Sequence, residues 1–282
     1  MIDIGRMNTL IARRITSVGF YLGDPATDAG DPADDILLPR KYVPESLSVG
    51  DSIEVFVYKD YDDRPIATTL TPHILRDEFA PLPVAAVSSV GAFLEWGLEK
   101  HLLVPYREQS RPLEVGQWCV AYMYLDEETA RLVASTKVNR FLDDDVSDLL
   151  ENDPVDLLAY EITDLGVNVI INDRHKGLLY HNEVFRPVAV GDRMPGFIKR
   201  VRDDGNVDVS LQAIGFQKVE PSAQLILDAL KARKGFLPLT DHSDPKAIYE
   251  TLEMSKKTFK KAIGTLYKER KILLQKDGIS LV

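Results

Sequence analysis

The chain has 282 residues, 45% hydrophobic and 28% charged, the composition of a globular protein that can bury real cores rather than of a disordered or collagen-like polymer. Lys plus Arg number 34 against 44 Asp plus Glu, and the resulting net charge of −10 excludes a uniformly basic coat for phosphate backbones while leaving room for a local basic patch. One cysteine, Cys119, excludes an internal disulfide and a thiolate zinc cluster, and no apolar run approaches the roughly 18 residues of a membrane span. The N-terminal stretch MIDIGRMNTLIARRI has too short an apolar run for a signal peptide and no small-residue cleavage site, so a cytoplasmic protein without membrane contact is expected.

Three segments share one pattern. The first reads VGFYLG from Val18, ILLPR from Ile36 and LSVGDSIEVFVYKD from Leu47. The second reads VGAFLEWG from Val90, HLLVPY from His101 and LEVGQWCVAYMYLD from Leu113. The third reads LGVNVIIND from Leu165, KGLLYHNEVF from Lys176 and VAVGDRMPGFIKRVRDDGNVDVSL from Val188. Within each unit the two marker glycines (Gly19 and Gly50, Gly91 and Gly116, Gly166 and Gly191) are 31, 25 and 25 residues apart. The six extra residues of the first unit fall in DPATDAGDPADD, which has turn chemistry and places an insertion in a surface loop between two strands. Apolar and polar residues alternate at period two, as in Ile53, Val55 and Val57 or Cys119, Ala121 and Met123, and such β-branched runs bounded by Gly, Pro and Asp read as short strands. Four or five strands in about 70 residues predict a small closed barrel per unit. Cys119 then belongs to a core, whereas Trp96 and Trp118 remain open between core and surface.

Composition changes after residue 220. Residues 221–282 carry a net +5 and the preceding residues −15. Ser222 is placed to cap a helix running to Lys234 and stopped by Gly235, Asp244-Pro245 opens a second helix to about Glu253, and Ser255 caps a third. On that third helix Phe259, Ala262, Ile263, Leu266 and Tyr267 form an apolar stripe, with Lys256, Lys257, Lys260, Lys261 and Lys268 on other faces. KILLQKDGISLV then reads as a hairpin around Asp277-Gly278. Three helices and a hairpin make a winged helix, whose third helix is the element that reads nucleic acid in that arrangement. Its lysines read equally as a solvated or partner-docking face.

VGAFLEWGLEKHLLVP, KGLLYHNEV and SKKTFKKAIGTLYKERKI give the chain its resemblance. The three units resemble S1-motif domains, an RNA-binding OB-fold type, and the whole order is similar to the conserved virulence factor B family of bacteria, the YitL-like proteins. The resemblance implies a mainly β chain of three tandem OB-fold (S1-like) barrels followed by a C-terminal winged-helix α+β domain, with domains at 1–71, 72–142, 143–220 and 221–282. It further implies RNA binding, an influence on the expression of other genes, and no catalysis. S1-motif domains commonly carry an aromatic residue two positions after the first glycine: Tyr21 and Phe93 stand there, and Asn168 in the third unit. Where a histidine often follows the next strand, Pro39, Pro105 and Tyr180 occur, with Arg40, Tyr106 and His181 one residue on.

OB-type barrels hold single strands by stacking bases on exposed aromatics and tracking phosphates with cations. Tyr21, Phe93, Tyr106 and Tyr180, with Arg40 and His181, are therefore the candidate RNA-binding residues, Tyr21 and Phe93 having core positions as their alternative. The winged-helix candidates are Lys256, Lys257, Lys260, Lys261 and Lys268. The favoured reading is a post-transcriptional regulator that binds single-stranded RNA. The alternative is a DNA-binding or protein-docking winged helix whose barrels act as partner scaffolds. The sequence contains no G-x-x-x-x-G-K-[ST], H-E-x-x-H or G-x-S-x-G motif, so an enzyme is not expected, nor a cofactor or metal. His175 and His181 read as strand and turn surface, and Asp143, Asp144 and Asp145 as the solvated cap of a short linker helix.

Overall fold

Each repeat becomes five strands. The first supplies β1 (Met7–Thr16), β2 (Gly19–Gly23), β3 (Ile36–Pro39), β4 (Ser52–Lys59) and β5 (Pro65–Thr68). The second supplies β6 (Phe79–Ser88), β7 (Gly91–Leu94), β8 (Leu102–Pro105), β9 (Trp118–Asp126) and β10 (Arg131–Ser135). The third supplies β11 (Pro154–Ile162), β12 (Gly166–Ile171), β13 (His175–Tyr180), β14 (Arg193–Val201) and β15 (Val207–Ser210). The computed structural model describes residues 2–27, 35–184, 187–212 and 221–282, so most of the DPATDAGDPADD insertion, between β2 and β3, lies outside the described residues. Two units result, Met1–Ala213 with the three barrels and Ile214–Val282 with the helices.

The first and third repeats close into barrels in the orders β1-β2-β3-β5-β4 and β11-β12-β13-β15-β14, which is the OB arrangement. Closure comes from parallel pairing of β3 with β5 at Leu37 and Ile66, and of β13 with β15 from Gly177 to Leu179. The second repeat follows the same order, β10-β9-β6-β7-β8, but no ladder joins β8 to β10; the two strands lie side by side, and the ring has a seam there without backbone pairing.

The two marker glycines have distinct physical jobs. A Cβ on Gly19, Gly91 or Gly166 would sit 2.0, 2.2 and 2.2 Å from the carbonyl oxygens of Leu38, Val104 and Leu179, so only hydrogen lets the second strand lie this close to the third. The second glycine reads a bulge in the first strand. Register shifts between Ala12 and Arg14, Val84 and Ala86, and Ala159 and Glu161. The amides of Gly50, Gly116 and Gly191 donate to Ala12, Val84 and Ala159 at 2.7, 2.8 and 2.7 Å. The bulge bends the long first strand so that it serves both sides of its barrel.

Breaks in the alternation mark where barrels meet. Val55 and Val57 fill the first barrel, yet Phe56 and Tyr58 on the opposite face of β4 are also buried, because they pack with the core of the second barrel against Trp96. Val120 on β9 joins Leu158 and Ile170 of the third barrel in the same way, which is why the expected alternation through Val120 fails. Trp96 is thus a core residue whose indole donates to the Lys100 carbonyl at 2.6 Å, whereas Trp118 is exposed.

Between the second and third barrels the expected short linker helix is a 3-10 turn, Val138–Phe141. Asp143 lies beyond it, taking two hydrogen bonds from the Arg174 guanidinium at 3.2 and 2.8 Å and bridging to His175, so it is a tether and not a helix cap. His175, expected on the surface, is 1% exposed, because it opens β13 beneath that bridge.

The second unit contains α1 (Pro221–Ala232), β16 (Phe236–Leu237), α2 (Pro245–Leu252), α3 (Lys256–Lys268), β17 (Ile272–Leu274) and β18 (Ile279–Leu281), its sheet ordered β16-β18-β17. Asp244 caps α2 through the amide of Lys246, and Ser255 caps α3 through the amide of Thr258. Ser222 lies inside α1 and does not cap it, and α1 ends at Ala232, ahead of the expected Lys234. Phe259, Ala262, Ile263 and Leu266 are buried, but Tyr267, expected on the same stripe, is exposed. In the wing, Gly278 is required by close approach, since a Cβ there would meet the Leu237 carbonyl at 2.4 Å.

Candidate nucleic-acid interface

The period-two pattern decides where Tyr21 and Phe93 point. Phe20 and Leu22, and likewise Ala92 and Leu94, are buried, so Tyr21 and Phe93 stand on the outer face of β2 and β7 and are half-buried there. This settles the core alternative against them. Asn168 holds the same position on β12. Each faces an equivalent partner across the hairpin: Arg14 opposite Tyr21, Ala86 opposite Phe93, Glu161 opposite Asn168. In the third barrel the pair closes on itself, Asn168 donating to Glu161 at 2.8 Å.

Arg40, Tyr106 and His181 each begin a 3-10 turn at the end of the third strand of their barrel. They fasten that strand to the first hairpin. The Arg40 amide donates to the Val18 carbonyl at 2.9 Å, the Tyr106 hydroxyl donates to the Ser88 carbonyl at 2.6 Å, and the His181 ring nitrogen lies 2.9 Å from the Thr163 carbonyl. The Tyr106 ring remains 52% exposed. Tyr180 is half-buried, and its hydroxyl accepts from Arg202, which is itself paired with Asp208 at 2.6 Å.

Two grooves cross the outer faces. The larger, about 640 Å³, runs along β7 and β8 past Phe93 to β10 and is walled on one side by the β4–β5 hairpin of the first barrel. Its cations are Lys59, Lys100 and Arg131, against Asp63 and Glu99. The second, about 460 Å³, occupies the same face of the third barrel, where Asn168, Tyr180, Lys176 and Arg202 meet Asp164 and Asp208. The six candidate residues are therefore distributed over three barrels, with Phe93 in one groove and Tyr180 in the other.

Sequence reasoning missed two kinds of groove residue. Tyr61 is 78% exposed on the hairpin wall, and its only sequence signal was an aromatic residue within the polar turn DYDDR. Val18, Val90 and Leu165 are exposed at the tip of the first hairpin in all three barrels, and Val90 and Leu165 line the grooves. They precede the first marker glycine in every unit, a regularity visible in the repeat itself.

On α3 the five lysines separate. Lys256 donates to the carbonyls of Ser243 and His242 at 2.9 and 3.3 Å, and Lys260 lies 3.7 Å from Asp241, so both help hold the loop before α2. Lys257, Lys261 and Lys268 are exposed. Among the described residues no cluster of His, Cys, Asp or Glu is arranged to hold a metal ion, and no helix is long and apolar enough to cross a membrane.

Fold and surface together define a protein of tandem OB barrels with a winged helix. The S1 domain family matches residues 4–70, and the CvfB-like winged helix domain family matches residues 224–281. The uncharacterized protein YitL of Bacillus subtilis (strain 168) is 29% identical over 281 residues, covering 97% of this chain and 92% of its own length. Conserved virulence factor B of Staphylococcus haemolyticus (strain JCSC1435) is 26% identical over 244 residues, covering 84% of this chain and 82% of its own. A crystallised multidomain protein with nucleic acid binding domains from Streptococcus pneumoniae TIGR4 is 22% identical, with a TM-score of 0.47, over 99% of this chain and 98% of that one. Over most of its length the chain is thus similar to YitL and conserved virulence factor B, with its first barrel matching the S1 domain family and its C-terminal part the CvfB-like winged helix domain family.

Proposed function

We propose that the chain binds nucleic acid, specifically single-stranded RNA, on the outer faces of its barrels, and that it acts through this binding as a post-transcriptional regulator of gene expression, without catalysing a reaction. The observation that carries the reading is the groove past Phe93. It combines an outward aromatic ring, a second exposed ring on Tyr61 and three cations in a cleft within the size range of ligand sites. An unstacked base needs a flat apolar surface, and its phosphate needs a cation nearby; this cleft offers both. The match of the first barrel to the S1 domain family and the recurrence of its strand order in the third support the same reading. The acidic remainder of residues 1–220 confines attraction for a polyanion to short range at physiological salt.

The test is fluorescence anisotropy of a labelled single-stranded RNA oligonucleotide titrated with the full chain at low salt, alongside a duplex RNA and a single-stranded DNA of equal length. Saturable binding strongest for the single-stranded RNA is expected. Absence of binding to all three would remove the proposal.

A further inference from the structure

We propose that the groove on the second barrel is a composite single-strand site built by two barrels. In it the β4–β5 hairpin of the first barrel supplies the outer aromatic wall, Tyr61, and an unstacked base lies over the seam where β8 and β10 share no ladder. The inference rests on the nucleic-acid reading above and adds the location and its two-barrel construction.

Three observations converge. The seam is specific to the second barrel: the corresponding place in the other two is closed by parallel pairing of Leu37 with Ile66 and of Gly177 with Val207. Both flanking strands, with Leu103 on one side and Leu132 and Val133 on the other, line the groove and make an apolar floor suited to the flat face of a base.

The hairpin is held at this seam by polar contacts of the second barrel. Lys100 donates from its ammonium to the carbonyls of Lys59 and Asp60 at 3.1 and 2.7 Å, and burial pushes its pKa below the usual lysine range. Arg131 binds both carboxylate oxygens of Asp63, with Nε at 2.7 Å. The turn is also locked from within. The Asp60 carboxylate accepts from the amides of Asp62 and Arg64 at 2.8 and 3.0 Å and from the Arg64 guanidinium at 3.0 and 2.8 Å.

The turn so fixed presents Tyr61 with its ring exposed and the Lys100 ammonium 5.4 Å from the ring centre. A surface turn needs no tyrosine for its own stability, and an exposed aromatic ring on a fixed turn beside a cationic, apolar-floored cleft is what base stacking requires. The positive balance of the lining, Lys59, Lys100 and Arg131 against Asp63 and Glu99, matches a phosphodiester strand.

The experiment compares the full chain with Tyr61→Ala, Tyr61→Phe and Phe93→Ala for binding of a fluorescein-labelled single-stranded RNA oligonucleotide, with the urea midpoint of each variant as a check on folding. Tyr61→Ala is expected to weaken binding by about fivefold or more, Phe93→Ala by a similar factor, and Tyr61→Phe to restore binding close to that of the unmodified chain. Binding weakened by Phe93→Ala but unchanged by Tyr61→Ala would overturn the composite site and leave the nucleic-acid reading intact. Failure of the unmodified chain to bind would overturn both.

Discussion

The guanidinium carbon of Arg14 lies 3.6 Å from the centre of the Tyr21 ring, the two residues being direct partners across β1 and β2. The face that a base would use on Tyr21 is thus already covered. Phe93, at the same position of the second barrel, faces Ala86, whose methyl group covers little of the ring. The three barrels are graded by this one pair: a ring capped by a guanidinium, a ring facing only a methyl group across the hairpin, and an asparagine hydrogen-bonded to its neighbour.

This grading sets the order of mutational effects. Phe93→Ala should weaken single-stranded RNA binding by the about 1–3 kcal/mol typical of a lost stacking platform. Tyr21→Ala should cost about 1 kcal/mol less, since a base on Tyr21 must first displace the Arg14 contact. Asn168→Ala should leave affinity unchanged. Anisotropy titrations of the three variants check the order, and a larger loss for Asn168→Ala than for Phe93→Ala would contradict it.

The salt dependence separates the barrels from the winged helix. Each phosphate neutralised on a single strand contributes a slope of about −0.7 to the log–log plot of affinity against salt. Lys100 is committed to the hairpin carbonyls and Arg131 to the Asp63 carboxylate, which leaves Lys59 as phosphate partner in the groove, joined by Arg131 where a phosphate displaces Asp63. Binding by this groove alone should therefore show a slope no steeper than about −1.4 and should not respond to the double substitution Lys257→Gln with Lys268→Gln. A steeper slope that relaxes by about 1.4 in that double variant would instead put α3 on the strand.

The repeat was legible because its causes are local. Marker glycines recur where a Cβ cannot fit or where a bulge must be closed, and alternation follows from the pleat. What stayed hidden depends on contacts between barrels. Phe56 and Tyr58 look like an irregular strand until the second barrel covers them, and no periodicity within one unit reports that burial. His175 was misplaced for the same reason, since the tether from Asp143 that covers it comes from 32 residues earlier in the chain. Tyr61 escapes the sequence because a tyrosine among aspartates reads as turn; only the fold places it on the wall of the groove. Ser222 met the composition of a cap, but α1 begins one residue before it.

Glu183 predicts a pH dependence of stability for the third barrel. The Lys199 ammonium pairs with its carboxylate, and the Ser210 hydroxyl donates at 3.0 Å, so the carboxyl is held below the usual glutamate range, chiefly by the lysine. A depressed carboxyl stabilises the folded state at pH values above its unfolded value of about 4.3, and this contribution disappears as pH falls through the folded value. Glu183→Gln should therefore lower stability at pH 7 by about 0.5–1 kcal/mol, and the difference should shrink as pH falls below the unfolded value of about 4.3. Urea unfolding of both proteins across that range measures it; an equal gap at pH 3 and pH 7 would rule out the ionic contribution.

Cys119 offers a probe of the second barrel itself. Its side chain lies in the core, with Sγ 3.6 Å from the Leu82 carbonyl, and burial pushes the thiol pKa up to about 12. The thiolate is the reactive species, and at pH 8 a group with that pKa is ionised only on the order of one part in 10⁴. Reaction with a disulfide reagent should then require opening of the barrel, and its rate should rise with urea in step with loss of structure. Because the groove lies over β8 and β10 of this barrel, saturating single-stranded RNA should slow labelling further, by the factor through which binding favours the closed barrel. Labelling by Ellman's reagent with and without oligonucleotide measures both effects. Prompt modification in native buffer would show that the barrel does not protect Cys119, and an unchanged rate under saturating RNA would place the strand elsewhere than on the second barrel.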